Sequence, residues 1–311
     1  MKVFKNKHGE VRFGWKIICV LIAFYIMTTI LTFAFSFIYG VYSVMSTGVT
    51  DSQTIIENFM SNNILVTIAG IIQDLCLISA VVLLWKLFDK KPVRNMGLTP
   101  IGQGVTDLLI GLVFGAISIS IVFFIFMLTG QVTVTNNSMM PNLSLTILID
   151  LVLMIFVGIG EELFSRGYCM TVMNRCNEIV VFILPNVIFA LLHIQNNNVS
   201  VLALFNIFLI GLLFSFMFKV RGNIWMPIGY HITWNYLQGS VFGFPVSGNE
   251  SAGLFSSKLV AENILNGGGF GPEGGLVVTA LIILSIALFA VYAKKKTAVT
   301  AQTDSNITAK A

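Results

Sequence analysis

Gly158-Ile159-Gly160-Glu161-Glu162-Leu163-Phe164-Ser165-Arg166 ends an apolar run that begins near residue 144, and it places two adjacent carboxylates and an arginine at the close of that run. The run approaches the roughly 20 residues that cross a bilayer. A charged group at such depth is costly to keep, and its default reading is functional. On a helix, residues four apart share a face, whereas immediate neighbours point in different directions. Glu162 is therefore expected to pair with Arg166, while Glu161 faces elsewhere and stays free for chemistry.

The rest of the chain has the same character. Of 311 residues, 56% are hydrophobic and 10% charged, and the mean hydropathy is +0.88. That balance leaves too little polar surface for a water-soluble domain of this size, so the fold class expected is an all-α polytopic membrane protein. Apolar stretches of spanning length run at roughly 17–42, 64–87, 105–129, 144–165, 179–195, 200–219, 223–243 and 276–293. They predict about eight transmembrane helices around an intramembrane cavity, in one domain over 1–296, with 297–311 as a polar, disordered cytoplasmic tail. The first stretch follows a basic leader (Lys2, Lys5, Lys7, Arg12, Lys16) and is too long for a signal-peptide core, so it reads as a retained helix.

Basic residues gather in every second loop: Lys86, Lys90, Lys91 and Arg94, then Arg166 and Arg175, then Lys219 and Arg221, then Lys294 to Lys296. The alternate loops near 43–63, 130–143 and 194–199 hold neither Lys nor Arg, and the loop at 244–275 holds only Lys258. By the positive-inside rule, this pattern predicts a multi-pass cell-membrane protein with both termini cytoplasmic. The 244–275 loop is rich in Gly and Ser and ends Gly267-Gly268-Gly269-Phe270-Gly271-Pro272, which predicts a flexible external segment. Gly111 and Gly115 form a small-xxx-small pattern that lets two helices approach closely. Cys19, Cys76, Cys169 and Cys176 show neither metal-site spacing nor a disulfide framework and read as packing residues. Asp74, Asp107 and Asp150 lie in or beside spans and read as structural, Asp107 as interfacial; Asp150 falls on nearly the same helical face as Glu161. No cationic groove interleaved with aromatics is present, which excludes nucleic acid as a partner.

The chain has three histidines. His8 belongs to the solvated leader, whereas His193 and His231 fall in apolar stretches. Phe189 precedes His193 by one helical turn and can shield or orient its ring, and Asn235 follows His231 by one turn. At about 1.5 Å per residue, Glu161, His193 and His231 lie roughly 21, 21 and 14 Å from the basic boundaries of their segments, depths at which the three can meet.

Glu-Glu-x-x-x-Arg at 161–166, Phe-x-x-x-His at 189–193 and His-x-x-x-Asn at 231–235, in that order, resemble the CPBP family of CAAX-prenyl endopeptidases and bacteriocin-processing or immunity-type membrane proteins, also called Abi proteins. The resemblance covers about residues 144–240. It implies an intramembrane protease in which Glu161 and His193 activate water. His231 and Asn235 would complete the site and stabilise the oxyanion, and Glu162, Arg166 and Phe189 would support it. The residues themselves suit amide hydrolysis, which needs a polarised water, a base and donors aimed at the developing oxyanion. His-Glu-x-x-His is absent, so a zinc ion would have to take Glu161, His193 and His231, a two-His, one-carboxylate set with an open fourth position. A metal-free glutamate/histidine mechanism uses the same residues. The partners expected are a membrane-associated protein or peptide substrate, of CAAX or leader-peptide type, and the lipid bilayer. Two other classes compete: a proton-coupled transporter relaying protons through Glu161, His193 and His231, although no internal repeat is evident, and a catalytically silent immunity or scaffold protein.

Overall fold

The computed structural model describes residues 3–6, 8–135, 145–251 and 253–308, with side chains as far as residue 294. Its helices are α1 (Phe13–Thr47), α2 (Ser52–Ser61), α3 (Asn63–Phe88), α4 (Ile101–Leu128), α5 (Leu145–Glu162), α6 (Met170–Val172), α7 (Glu178–Leu191), α8 (Val201–Arg221), α9 (Trp225–Tyr236) and α10 (Leu276–Thr308). Strand is confined, among the described residues, to an antiparallel pair, β1 (Val132–Val134) and β2 (Ser257–Leu259). Part of the cation-free loop at 130–143 lies outside the described residues.

Helices stand at all eight expected places, and they define a polytopic all-α membrane protein. Five segments are long and apolar enough to cross a membrane: Phe13–Thr47, Asn63–Phe88, Val93–Leu128, Val201–Arg221 and Leu276–Lys294. The other three are the ones that carry the sequence motifs, and they are shorter. α7 has 14 residues and stops at Leu191, before His193. α5 and α9 have 18 and 12 residues and run on into π-helical turns at Leu163–Cys169 and Leu237–Val241. Such turns are rare and concentrate at functional sites. α10 continues past its apolar span to Thr308, so the boundary expected at 296–297 falls inside this helix, and 309–311 lie outside the described residues.

Glycines set the closest helix packing. A Cβ at Gly111 would lie 2.1 Å from Met226 O, and one at Gly115 would lie 2.3 Å from Tyr230 O, so α4 meets α9 backbone to backbone. Thr233 Oγ1 adds a hydrogen bond to Leu112 O at 2.8 Å. On another side α9 packs against α5, where a Cβ at Gly158 would meet Ile232. α9 is thus wedged between two helices, which fixes the heights of His231 and Asn235. Large apolar side chains such as Phe33, Phe37 and Ile38 stay exposed on α1, the surface that lipid covers.

The buried aspartates fasten helices together. Asp107, expected at the interface, is buried; it accepts from Arg221 Nε at 2.6 Å and from Asn223 Nδ2 at 2.6 Å, tying the end of α8 to the start of α4. Asp150 accepts from Thr67 at 3.1 Å and from Ser240 at 3.3 Å.

The 244–275 segment departs from expectation. It is a folded cap, not a flexible loop: Phe244, Asn266 and Phe270 are buried, and its strand β2 pairs with β1 from the turn after α4. Its glycines serve tight turns. Gly248 has φ +84° and a Cβ there would lie 2.0 Å from Asn197 O; Gly271 has φ +98° and packs against Pro245 O.

Candidate active site

The end of α5 and the turn after it present the two glutamates to very different surroundings. The Glu162 side chain is fully buried, whereas that of Glu161 is 25% exposed. Glu162 Oε1 accepts from Arg166 Nη1 at 2.9 Å and from His231 Nδ1 at 3.1 Å. Removing one member of a buried pair of this kind costs about 3–5 kcal/mol, because the other charge is left unpaired.

Arg166 is the hub of this centre. Its Nη2 donates to Asn186 Oδ1 at 3.2 Å, and Asn186 Nδ2 donates onward to Ser215 Oγ at 2.9 Å and to Phe182 O at 2.6 Å. The guanidinium also lies over the rings of Phe189 (4.6 Å) and Phe214 (5.3 Å), so one cation joins the π-helical turn to α7 and α8. Asn186, Ser215 and Phe214 escaped the sequence reading. The signal available was an uncharged polar residue flanked by apolar ones, Asn186 in α7 and Ser215 in α8, and such residues seek partners across helices.

His231 stands between the two glutamates. Because Glu162 accepts at Nδ1, the proton of a neutral ring belongs there, and Nε2 faces Glu161 Oε2 at 3.8 Å. That gap is too long for a direct hydrogen bond and leaves both groups open to a third. Glu161 therefore does not look away from the centre, as neighbour geometry alone suggested; it borders the same imidazole from the exposed side. Asn235, one turn on, is 7% exposed, and its amide has no hydrogen-bond partner among the described residues, so both of its N–H donors are unspent. Asp74 of α3 also reaches this region: a Cβ at Gly160 would lie 3.7 Å from its Oδ1.

His193 makes no hydrogen bond to this centre among the described residues and reaches it through Phe189. It lies in the turn beyond α7, where its Nδ1 donates to Phe189 O at 2.9 Å and its ring meets that of Phe189 edge-on at 5.0 Å. Its Nε2 is the free nitrogen. Among the described residues it forms no ion pair with Glu161, and no group of three or more His, Cys, Asp or Glu side chains is arranged to hold a metal ion. Glu162 engages Nδ1 of His231 and leaves its Nε2 toward Glu161, the tautomer that a metal-ligating imidazole also takes. The cap contributes a partly buried carboxyl, Glu273, to the surroundings of His193. Burial lifts it above the usual carboxylate range, against the opposing effect of hydrogen bonds from Ser247.

These features define a class, a polytopic helical membrane protein with a sealed Glu–Arg–His centre and an open carboxylate beside it. Residues 143–237 match the family model described as Type II CAAX prenyl endopeptidase Rce1-like, a match over part of the chain that supports a CPBP/CAAX protease assignment. No curated protein matches the chain. The matched segment runs from just before α5 into the turn after α9, and leaves α1 to α4, the cap and α10 outside.

Proposed function

We propose that the chain is an intramembrane endopeptidase hydrolysing a peptide bond of a membrane-associated protein or peptide, of CAAX or leader-peptide type, by a Glu/His mechanism. One observation carries the reading: Glu161 is the partly exposed, unbonded carboxylate of the pair, set 3.8 Å from His231 Nε2 beside a buried Glu162 whose Oε1 already accepts from Arg166 and His231. Glu161 takes a proton from water as the water oxygen adds to the scissile carbonyl carbon. The Asn235 amide N–H groups are the donors for the developing oxyanion, with His231 beside them. As the C–N bond breaks, the amide nitrogen gains a proton, and His193, with Nε2 free, serves as the second proton-transfer group.

Comparative peptidomics of membranes from cells carrying wild type and Glu161→Gln tests this. New peptide termini that depend on wild type support the reading. Identical peptidomes from both strains would overturn it, and proton flux lost in the same variant would favour a carrier.

A further inference from the structure

The family match ends at residue 237, yet the turn that carries His193 is held from beyond it. Three residues past His193, Asn196 Nδ2 donates to Ser247 O at 2.8 Å. The backbone N–H of the same Ser247 donates to Glu273 Oε2 at 2.6 Å, and its hydroxyl reaches that oxygen at 3.3 Å. Ser247 has φ +47°, a left-handed conformation that persists only where its surroundings enforce it. Here a bond on either side of the residue does so.

Glu273 is itself fixed by two helices. Asn206 Nδ2 of α8 donates to Glu273 O at 2.7 Å and to Gly275 O at 3.0 Å, while Thr279 Oγ1 of α10 donates to Asn206 Oδ1 at 2.7 Å. A parallel link is apolar: Gly248 N donates to Phe270 O at 2.8 Å, and Phe270 is buried in one cluster with Phe189, whose ring and carbonyl both engage His193. The charges of Glu273 and His193 also act on one another.

We infer that Glu273 is a positioning residue for His193: through Ser247 and Asn196 it fixes the turn after α7 and so orients the imidazole's free nitrogen. The inference rests on the endopeptidase reading and on the proton-transfer role given there to His193. A misplacement of about 1 Å at a reacting group can cost up to about 10²-fold in rate, so loss of the link should appear in turnover.

The test uses the full chain in lipid nanodiscs with a membrane-anchored peptide that wild type cleaves. Glu273→Ala should lower kcat by about 10- to 100-fold with KM within about twofold. Glu273→Gln keeps an acceptor for the Ser247 N–H and should restore most of the turnover. Asn196→Ala cuts the link from the other side and keeps the Glu273 carboxyl and its bonds to Ser247, so it should fold even where Glu273→Ala does not, and should show the same kcat loss. The His193 imidazole ¹⁵N resonances, assigned by their loss in His193→Gln, should move in Glu273→Ala and Asn196→Ala and return in Glu273→Gln. Folded variants with wild-type kcat and unmoved resonances would overturn the inference. Glu161→Gln, run alongside, separates the two failures: a Glu161→Gln that still cleaves the peptide sinks the Glu/His mechanism proposed above, whereas an inactive one beside fully active Glu273→Ala and Asn196→Ala sinks the positioning role alone.

Discussion

The Arg166 centre and the His193 turn lie on either side of Phe189, and they are held by opposite means. Arg166 sits among helix side chains, where one cation is shared by Glu162, Asn186 and two aromatic rings, and each partner sits on a helix or helical turn packed into the bundle. His193 sits past a helix end, held by one local hydrogen bond and by a cap whose anchors come from far along the chain. The first arrangement couples the site to the stability of the bundle. The second leaves the bundle alone and couples one side chain to a loop, so defects in the two regions should differ in kind.

The largest effect expected is on activity without stability. Glu161 is partly exposed and forms no short hydrogen bond, so Glu161→Gln should abolish cleavage, by at least about 10³-fold, with thermal unfolding close to wild type. A matching loss of melting temperature would mean that Glu161 belongs to the sealed centre after all.

Arg166→Ala should do the reverse. It strands the Glu162 carboxylate inside the bundle, with a stability loss of about 3–5 kcal/mol read from unfolding in detergent. A folded but inactive Arg166→Ala of wild-type stability would break the division between the two glutamates.

Asn235→Ala sharpens the comparison from within α9. An oxyanion donor should cost about 10²–10³ in kcat, or roughly 2.7–4 kcal/mol, with KM little changed. A helix-bridging asparagine would instead cost about 0.6–2 kcal/mol of stability, with turnover preserved.

The smallest effect belongs to the cap. Burial raises Glu273 above its ordinary 4.5, so the folded cap binds this proton more tightly than the unfolded chain does. The stability contributed by the proton is fully present below that ordinary value and is lost as pH rises through the raised one. Glu273→Gln mimics the protonated form, so the fall in melting temperature across this window should be shallower in the variant. Equal slopes would show that the carboxyl is not desolvated as the fold has it.

What could be read from the chain alone was what depends on near neighbours. The membrane class follows from apolar length, and the Glu162–Arg166 pair from a four-residue spacing that any helix converts into contact. Gly111 and Gly115 announced a close helix approach, though nothing in their spacing names α9 as the partner. Other features were hidden by the same apolar composition that revealed the spans. Ile194 continues the hydrophobic run past Leu191, so the end of α7 before His193 leaves no mark in hydropathy. Glycine content reads as freedom in the cap because composition does not report whether a turn is anchored. Its anchors are Asn206 on Glu273, 67 residues apart, and Asn196 on Ser247, 51 apart. The insertion of His231 between two carboxylates from 69 residues away is likewise a product of packing α9 between α4 and α5. Sequence therefore determined which polar groups this membrane protein carries and the local pair that neutralises one of them. Tertiary structure alone decided which histidine stands between the two glutamates and which aromatic and amide groups seal the buried one, because desolvation and partner choice depend on the elements that pack around a group and not on the residues beside it in the chain.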